Sequence, residues 1–339
     1  MNDRTPDTHT LLDAITLANR APSVHNTQPW RWLIGDESIH LMADRGRTVP
    51  ATDPDGRDLL LSCGAALHHL CVALGALGWR TVVHRLPNPT DPDHLAAVEL
   101  SPKTPSIEDI TLVGAISRRH TDRRRFSSWP VPEGYLDLMA RKAAKAGGLL
   151  VPVADRLTRR QLTRAIDQAA DHQQDDPAYA AELATWSGRG RLSRDGVLAA
   201  STLPDQRPNG DTTMRAFPAG TLADAEIGRG EHDAGVLLVL ATTADDLVSL
   251  LRAGEAASAA LLAATNLGLA TCPLSQALEV ADTRALIREQ VLDGVAYPHL
   301  ILRAGWVPTA APLLPEGPRR ATGDTVGYLP GTRHPESAR

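Results

Sequence analysis

The sequence predicts an α+β fold of two similar units, each a mixed β-sheet flanked by helices. Two long helices, 57–78 and 247–268, are apolar almost all round, which is typical of buried helices. Their glycines recur at a constant offset of 190 residues, as with Gly64 and Gly254. Each helix is followed by short strands, and each half opens with an amphipathic helix that ends in arginine. This repeat is too long for a solenoid and indicates a duplicated unit.

The first unit is assigned to residues 1–105 and the second to 106–339. The elements expected in the first unit are a helix at 11–20, a strand pair at 30–44, the helix at 57–78, and strands at 81–85 and 95–100. After the linker 101–106, the second unit is expected to contain helices from 107 and at 133–146 and 156–171, strands at 149–153, 236–241 and 299–305, and the helix at 247–268. Residues 186–232 have little periodicity, which predicts a functional lid, and a proline-rich arm covers 308–339.

Composition excludes several classes of protein. A length of 339 residues with a hydrophobic share of 42% is enough for a sizeable core in about two domains. The net charge of −5 disfavours nucleic acid as a partner. Three cysteines without a CxxC pair disfavour a disulfide framework and a structural zinc site. With no apolar run near the roughly 20 residues that span a bilayer, we expect a cytoplasmic protein without membrane contact.

A run of small polar and amide side chains, APSVHNTQPW at 21–30, lies between the first helix and the first strand. Such side chains suit a planar heteroaromatic ligand with donor and acceptor groups along one edge. The plainer interpretation is a helix C-terminal turn with polar caps. The whole string resembles the APSxxNxQPW segment of FMN-dependent nitroreductases, in which this segment contacts the flavin from the partner subunit of a homodimer.

The string RRHTDRRRF at 118–126 places five arginines and a histidine in nine positions, which suits a phosphate group. A solvated basic face is the usual interpretation of a charge run, but the negative net charge disfavours it. The string resembles the RRSxRxF phosphate-binding motif of nitroreductases, with His120 where serine is common. The resemblance implies that the FMN phosphate and ribityl chain are bound by Arg118, Arg119, Thr121 and Arg123, or Arg124 in place of Arg123 if the register shifts by one.

Two later segments resemble the same superfamily. The string TCPLSQ at 271–276 lies where nitroreductases place a loop whose backbone N–H bonds the flavin N5, although Ser275 and Gln276 depart from the usual Glu-Gly. The string LPEGPRR at 314–320 resembles the C-terminal basic segment that closes over the phosphate. The four segments together imply an FMN site formed by Arg20, Pro22, Ser23, Asn26, Gln28, Arg118, Arg119, His120, Thr121, Arg123, Arg124, Pro273, Leu274, Ser275, Gln276, Arg319 and Arg320.

The two units complement each other. Only 19 residues precede Arg20, which leaves no room for a phosphate motif, whereas the second unit reads AGGLLVP at 146–152 where APSxxNxQPW would recur. The chain therefore resembles a nitroreductase homodimer fused into one polypeptide, with one composite FMN site. This arrangement narrows the resemblance to the Acg-type branch, in which the middle segment, here 186–232, folds over the flavin.

The resemblance implies an FMN-binding oxidoreductase in which the flavin performs the redox chemistry, so that no catalytic side chain is expected. Its further partners would be a nicotinamide electron donor or a small electron acceptor. Because the pseudo-dimer is formed within one chain, a monomer is compatible with the resemblance. The alternatives are an FMN storage protein with a closed lid and little turnover, and a flavin-dependent tailoring oxidase. No metal is expected, because His68 and His69 point about 100° apart on a helix, and both are interpreted as satisfied core residues.

Overall fold

A computed structural model describes residues 5–203, 208–209, 212–223, 232–309 and 311–332. The α-helices are α1 (Thr8–Ala18), α2 (Arg57–Ala76), α3 (Ile107–Arg118), α4 (Glu133–Lys145), α5 (Arg156–Gln174), α6 (Pro177–Trp186), α7 (Leu247–Asn266), α8 (Gln276–Glu279), α9 (Ala281–Val291) and α10 (Thr322–Thr325). The strands are β1 (Trp30–Ile34), β2 (Ser38–Ala43), β3 (Trp79–Arg85), β4 (His94–Pro102), β5 (Leu149–Pro152), β6 (Pro208–Asn209), β7 (Thr212–Thr213), β8 (Val236–Thr242), β9 (Ala270–Leu274), β10 (Tyr297–Gly305) and β11 (Val326–Tyr328).

Five strands form the sheet of the first unit in the order β11-β1-β2-β4-β3. The pairs among β1 to β4 are antiparallel and β11 runs parallel to β1, so this sheet is mixed, as predicted. Alternation along β1 and β2 places Trp30, Trp32, Ile39 and Leu41 in the core. The strand β11 belongs to the C-terminal arm. The arm, which the sequence analysis grouped with the second unit, therefore packs on the first.

The sheet of the second unit has the order β5-β8-β10-β9, and its strand pairs are antiparallel. Parallel pairing enters it only as the isolated bridge between Thr121 and Thr271, as far as the described residues show. The central strands are almost continuously apolar because both faces of the sheet are covered. Leu238 and Leu240 pack toward α4 and α7, whereas Leu237 and Val239 pack toward α5 and α9.

The buried helices α2 and α7 cross at the two repeated glycines. A Cβ added to Gly64 would lie 2.1 Å from the carbonyl oxygen of Leu251, and one added to Gly254 would lie 2.1 Å from that of Leu61. Shifting the residue numbers of one contact by 190 gives the residues of the other, because Leu61 corresponds to Leu251 and Gly64 to Gly254. Such reciprocal contacts are typical of a two-fold symmetric interface. Only glycine permits so close a backbone approach, which explains the repeated glycines found in the sequence.

The C-terminal arm is attached to the first unit through one buried amide. The Asn19 side-chain oxygen accepts hydrogen bonds from the indole N–H groups of Trp30 (2.9 Å) and Trp32 (3.0 Å). Its nitrogen donates to Thr325 Oγ1 in α10 (2.9 Å). Both buried indoles are thereby satisfied, and the arm is fixed beside the segment that follows α1.

The sequence analysis assigned no helix at α6, α8 or α9 and a loop at 271–276, and the structure differs at each of these places. Only Tyr179 and Leu183 of α6, and Thr283 and Ile287 of α9, are buried, so the apolar pattern of these helices is weak. Residues 271–274 pair with β10 as part of β9. Helix α6 does have a local start signal, since Asp176 caps it.

The helices α2 and α7 are long and apolar enough to cross a membrane by length and composition alone. In the structure, 83% and 78% of their most apolar windows are buried within the protein. Packing of the two helices against each other and against both sheets accounts for their composition.

Candidate functional site

The segment that joins α1 to β1 contains a strained bend. His25, Asn26 and Gln28 have φ angles of 45°, 54° and 53°, a region that residues other than glycine rarely occupy. The Gln28 backbone N–H donates to Ser23 Oγ (3.0 Å) and closes the bend. Strain of this kind persists only where surrounding contacts fix it, and it is concentrated at ligand sites.

A cavity of about 1660 Å³, including the solvent at its mouth, lies between the two units. One wall is formed by this bend and α2, and the other by the end of α3, the end of β9 and the start of α8. The C-terminal arm and part of the segment 186–232 border it as well. The predicted site residues that line the cavity are Arg20, Pro22, Ser23, Asn26, Arg119, His120, Thr121, Arg123, Pro273, Leu274, Ser275, Gln276 and Arg319.

Basic side chains meet at one end of this cavity, which we call the cationic end: Arg20, Arg119, His120 and Arg319. Burial, with repulsion by Arg20, lowers the pKa of Arg119 to about 10. Burial, with repulsion by Arg119 and Arg20, lowers the pKa of Arg319 to about 9. A lowered pKa means that the protein around these guanidinium groups disfavours their charge, although the carboxylate of Glu316 lies 3.6 Å from Arg20.

Several buried nitrogen atoms at the cationic end have no hydrogen-bond partner among the described residues. Within the described residues, Nε and Nη1 of Arg119 and the Nε atoms of Arg20 and Arg319 are buried without a partner. The same holds for both ring nitrogens of His120. Buried donors without acceptors are costly, so this end is suited to a ligand that brings both negative charge and acceptor oxygens. A phosphate monoester has both properties.

The segment 273–276 forms the middle of the cavity wall, where β9 ends and α8 begins. Ser275 Oγ donates to Glu279 (2.7 Å), and Gln276 Nε2 donates to Gln173 Oε1 (3.0 Å). These two side chains, which depart from the nitroreductase pattern, are thus engaged with neighbouring helices. Burial raises the pKa of the adjacent Cys272 thiol, which keeps it in the unreactive thiol form.

Arg215 occupies the opposite end of the cavity, which we call the acidic end. Its guanidinium forms an ion pair with Glu279, whose side chain is only 2% exposed. Nη2 of Arg215 also lies 3.4 Å from Ser275 Oγ, and Nη1 lies 3.2 Å from His25 Nε2. Burial, reinforced by Arg215 and Arg123, lowers the pKa of His25 well below its usual value. The imidazole is therefore neutral and accepts a hydrogen bond from Arg215.

Asp58 lines the acidic end beside this ion pair. Its Oδ2 is buried and has no hydrogen-bond partner in the part of the chain that the structure describes. Burial, with repulsion by Asp53 and Glu279, raises the pKa of Asp58 well above its ordinary value. The attraction of Arg215 and Arg57 opposes that shift. The positive charge of Arg215 and Arg57 therefore does not offset the effect of burial and of the neighbouring carboxylates on Asp58.

Two arginines of the predicted phosphate motif lie outside the cavity. Arg118 is exposed and donates to Asn266 Oδ1 (2.8 Å), because α3 continues to this residue and directs its side chain to the surface. Arg124 is buried in an ion pair with Asp122 (2.7 Å) and donates to the Pro312 carbonyl (2.7 Å). The prediction that these two residues hold the phosphate does not match their positions. Of the three arginines at 123–125, Arg123 lines the cavity.

Gln28 and Arg320 also lie behind the cavity wall. The Arg320 backbone N–H donates to Gln28 Oε1 (2.9 Å), and its guanidinium lies 3.3 Å from Asp44. Gln28 Nε2 donates to the Arg194 carbonyl (3.0 Å). These residues join the bend, the arm and the segment 186–232 to one another, whereas the sequence analysis placed them against the ligand.

The residues that the sequence analysis missed belong to the acidic end: His25, Asp58, Arg215 and Phe217. His25 is inside the motif at 21–30 but matches no fixed position of it. Asp58 opens a helix, where an acidic residue is ordinary. Arg215 and Phe217 belong to a stretch without periodicity, and no local sequence signal distinguishes them.

The described parts of the predicted lid, 186–203, 208–209 and 212–223, pack on both units. Asp195 forms an ion pair with Arg47 of the first unit. Asn26 Nδ2 donates to the Gly196 carbonyl (3.0 Å), and Arg123 Nη1 of the second unit donates to the Ser201 carbonyl (3.1 Å). Residues 204–207, 210–211 and 224–231 of the predicted lid lie outside the described residues. The described parts cover one side of the cavity.

The two histidines of α2 differ. His68 Nδ1 lies 2.8 Å from Ser258 Oγ, as expected for a satisfied core histidine. His69 is buried, and the Leu17 backbone interacts with its ring, although neither ring nitrogen has a hydrogen-bond partner by distance and angle among the described residues. Burial, with repulsion by Arg119, lowers the pKa of His69 well below its usual value, so the ring is neutral. Within the same residues, no group of three or more His, Cys, Asp or Glu side chains is placed to hold a metal ion.

Comparison with curated proteins identifies the family. The chain is 43% identical over 331 residues to "Putative NAD(P)H nitroreductase Rv3131" of Mycobacterium tuberculosis, covering 97% of this chain and 94% of that protein. It is 37% identical over 324 residues to "Putative NAD(P)H nitroreductase acg" of the same organism, covering 94% and 96%. No family model matches the chain. The chain belongs to the Acg-type branch of the nitroreductase superfamily, as its motifs predicted.

Solved structures of nitroreductases match part of the chain. A nitroreductase with bound FMN from Bacteroides fragilis is 15% identical, covering 62% of this chain and 95% of its own, with a TM-score of 0.40. A nitroreductase with bound FMN from Desulfitobacterium hafniense is 14% identical, covering 65% and 98%, with a TM-score of 0.39.

Proposed function

We propose that this protein is an FMN-dependent oxidoreductase that binds one FMN in the cavity between its two units. One observation supports this proposal above the others. Three arginines, of which Arg119 is buried and Arg20 and Arg319 are partly exposed, converge on one end of the cavity, and each has a buried donor atom that the described protein does not satisfy. The family relationship supplies the class of reaction, since the relatives carry the name "Putative NAD(P)H nitroreductase".

The residues present fit FMN. At the cationic end, Arg119, Arg319 and Arg20 would hold the phosphate, with His120 and Thr121 beside it. Their unpartnered N–H groups match the acceptor oxygens of a phosphate dianion, and their mutual repulsion is relieved when that charge is present. Arg118, which lies at the surface, takes no part in this proposal.

The isoalloxazine ring would lie between the bend and the segment 273–276. The bound flavin would supply the hydride-accepting and hydride-donating chemistry. The chain's own contribution is to orient the ring, to present backbone N–H groups at the start of α8 and to exclude water. The strained backbone of His25 and Asn26 would present these two side chains, together with Ser23, to the ring.

We further propose that the chain is a fused dimer with one site. The reciprocal contacts of Gly64 and Gly254 support this, because residues related by the 190-residue offset meet each other at the centre of the molecule. The cationic end depends on both units, with Arg20 from the first and Arg119 from the second. Among the described residues, one cavity is enclosed by both the bend and the segment 273–276, which predicts one flavin per chain. A cytoplasmic location stays a prediction.

A storage protein with little turnover is the second candidate. The observation that favours it is the packing of 186–203 and 212–223 over the cavity, through the ion pairs of Asp195 with Arg47 and of Arg215 with Glu279. A covered flavin would react slowly with a nicotinamide donor. A dedicated tailoring oxidase would instead open for one substrate.

Two measurements on the purified protein test the proposal. The absorbance of flavin released on denaturation should give one FMN per chain, and two per chain, or a protein that takes up none, would contradict it. Stopped-flow reduction of the bound flavin by NADH and NADPH then separates the candidates. Saturable reduction supports the oxidoreductase, whereas flavin that is reduced by dithionite but by neither nucleotide supports storage.

A further inference from the structure

The acidic end of the cavity is a binding site for a guanidinium group, and the chain fills it with its own Arg215. Three elements surround this group: the bend contributes His25, α6 contributes Tyr179, and α8 with its N-cap contributes Glu279 and Ser275. The guanidinium carbon lies 5.8 Å from the centre of the Tyr179 ring. Carboxylate, aromatic ring and neutral imidazole are the groups with which proteins bind organic cations.

We propose that the acidic end is the recognition site for a positively charged substrate group, an ammonium or a guanidinium, whose place Arg215 takes in this structure. This inference rests on the proposed function, since the substrate would reach the flavin through the same cavity. When such a substrate binds, Arg215 would leave the acidic end together with the segment 212–217, and the cavity would open. The substrate cation and Arg215 therefore cannot occupy the acidic end at the same time.

The carboxylates of the acidic end are not all explained by internal structure. Asp53 accepts the backbone N–H of Leu59 (2.8 Å) and so completes the start of α2. Glu279 accepts hydrogen bonds from Gln173 (2.8 Å) and Ser275 (2.7 Å) in addition to Arg215. Asp58 differs, because its buried Oδ2 has no partner among the described residues. A cation that reaches further than Arg215 does would pair with this oxygen and favour the ionised form of Asp58.

A second cavity leads to the same carboxylates. It meets the first cavity at Asp58 and is bordered by Glu279, Asp53, Asp55 and Asp176. The arginines at its rim are in part neutralised, since Arg57 and Arg284 both pair with Asp245 (2.9 and 2.8 Å). A cation that approaches through this opening meets carboxylates before it meets the flavin cavity.

The test uses the whole chain as purified with its flavin, in which Arg215→Ala vacates the acidic end. Isothermal titration calorimetry compares ethylguanidinium with ethylurea, a neutral molecule of nearly the same shape. We expect Arg215→Ala to bind ethylguanidinium at least tenfold more tightly than ethylurea. In the wild type and in Arg194→Ala, Arg215 still competes for the acidic end, so both should bind ethylguanidinium at least tenfold more weakly than Arg215→Ala does. Arg194 is the control because it pairs with Asp324 at the surface, and its removal frees no buried carboxylate.

Adding Glu279→Gln to Arg215→Ala should abolish the preference. An Arg215→Ala protein that binds both compounds equally, or neither, would overturn the inference. If Arg215→Ala does not fold, the wild type decides: at concentrations high enough to displace Arg215, ethylguanidinium should increase chymotrypsin cleavage at the buried Phe217 more than ethylurea does, and equal cleavage contradicts the inference. The flavin content of each sample is measured in parallel. A flavin-containing protein without the preference refutes only this inference, whereas a wild type without FMN refutes the proposed function.

Discussion

Both ends of the cavity contain buried arginines, but the two sets differ in what neutralises them. Arg119 and Arg319 at the cationic end have lowered pKa values and unpartnered donors among the described residues. Arg215 at the acidic end is paired with Glu279, and attraction by that carboxylate raises its pKa even though burial opposes the shift. A buried charge without a protein partner indicates the charge of a ligand, whereas a paired one contributes to the fold itself.

Stability measurements should give opposite results for the two arginines. Arg215→Met leaves Asp58 and Glu279 buried without their cation, so we expect the free energy of unfolding to fall by about 3–5 kcal/mol. Arg119→Met in flavin-free protein removes an uncompensated buried charge and should leave stability equal or higher. Urea unfolding followed by circular dichroism measures both. A loss at Arg119 as large as that at Arg215 would remove the distinction between the two ends.

The affinity for FMN should fall strongly when Arg119 is replaced and hardly change when the adjacent Arg118 is replaced. Arg119→Ala removes one partner of a desolvated charge pair, which costs about 2–5 kcal/mol, or tens- to thousands-fold in the Kd for FMN. Arg118→Ala is the matched control and should change the Kd by less than about twofold, because its side chain lies at the surface. Titration followed by flavin fluorescence gives both constants. Equal losses for the two variants would place the phosphate elsewhere.

Asn26 should have a smaller effect. Its oxygen accepts a hydrogen bond from Arg319 Nη1 (3.0 Å), so the amide orients one arginine of the cationic end. Asn26→Ala removes a hydrogen bond worth about 0.5–1.5 kcal/mol, which predicts a Kd for FMN weakened by up to about tenfold. The same titration measures this. An effect as large as that of Arg119→Ala would show that Asn26 acts in some way other than through Arg319.

The acidic end should produce a pH dependence of stability. Burial raises the pKa of Asp58 in the folded protein, so the folded state binds its proton more tightly than the unfolded state. The free energy of unfolding therefore falls as the pH rises above about 4, by up to about 1.4 kcal/mol per pH unit until the folded protein also loses this proton. Asp58→Asn should flatten this decline in urea unfolding at pH 4 to 8. A decline of unchanged slope in the variant would assign it to other groups.

The cationic end was largely predictable from sequence because its residues belong to contiguous strings with a family resemblance. Arg20, Arg119 and Arg319 each lie within or beside such a string. The position of Arg118 differs from the expected one for a physical reason, since the sequence does not show that α3 continues through this residue and carries its side chain to the surface. Two adjacent arginines cannot be distinguished by pattern alone when the helix end decides which one is buried.

The acidic end was not predictable. Asp58, Arg215 and Glu279 are far apart in the chain and meet only when α2, α8 and the segment 212–217 pack together. None belongs to a local motif, and a stretch without periodicity gives no information on where its side chains lie. In contrast, the repeat of Gly64 and Gly254 was visible in the sequence, and the structure supplies its reason, because the close backbone approach of α2 and α7 requires glycine at both positions.

The most direct test compares FMN with riboflavin, which differs only by lacking the phosphate. If the cationic end holds the phosphate, wild type should bind FMN at least a hundredfold more tightly than riboflavin, a difference of about 2.7 kcal/mol. That ratio should collapse in Arg119→Ala and persist in Arg118→Ala. Equal affinity of the wild type for the two flavins would contradict the account, because the buried arginines would then have no role in binding the cofactor.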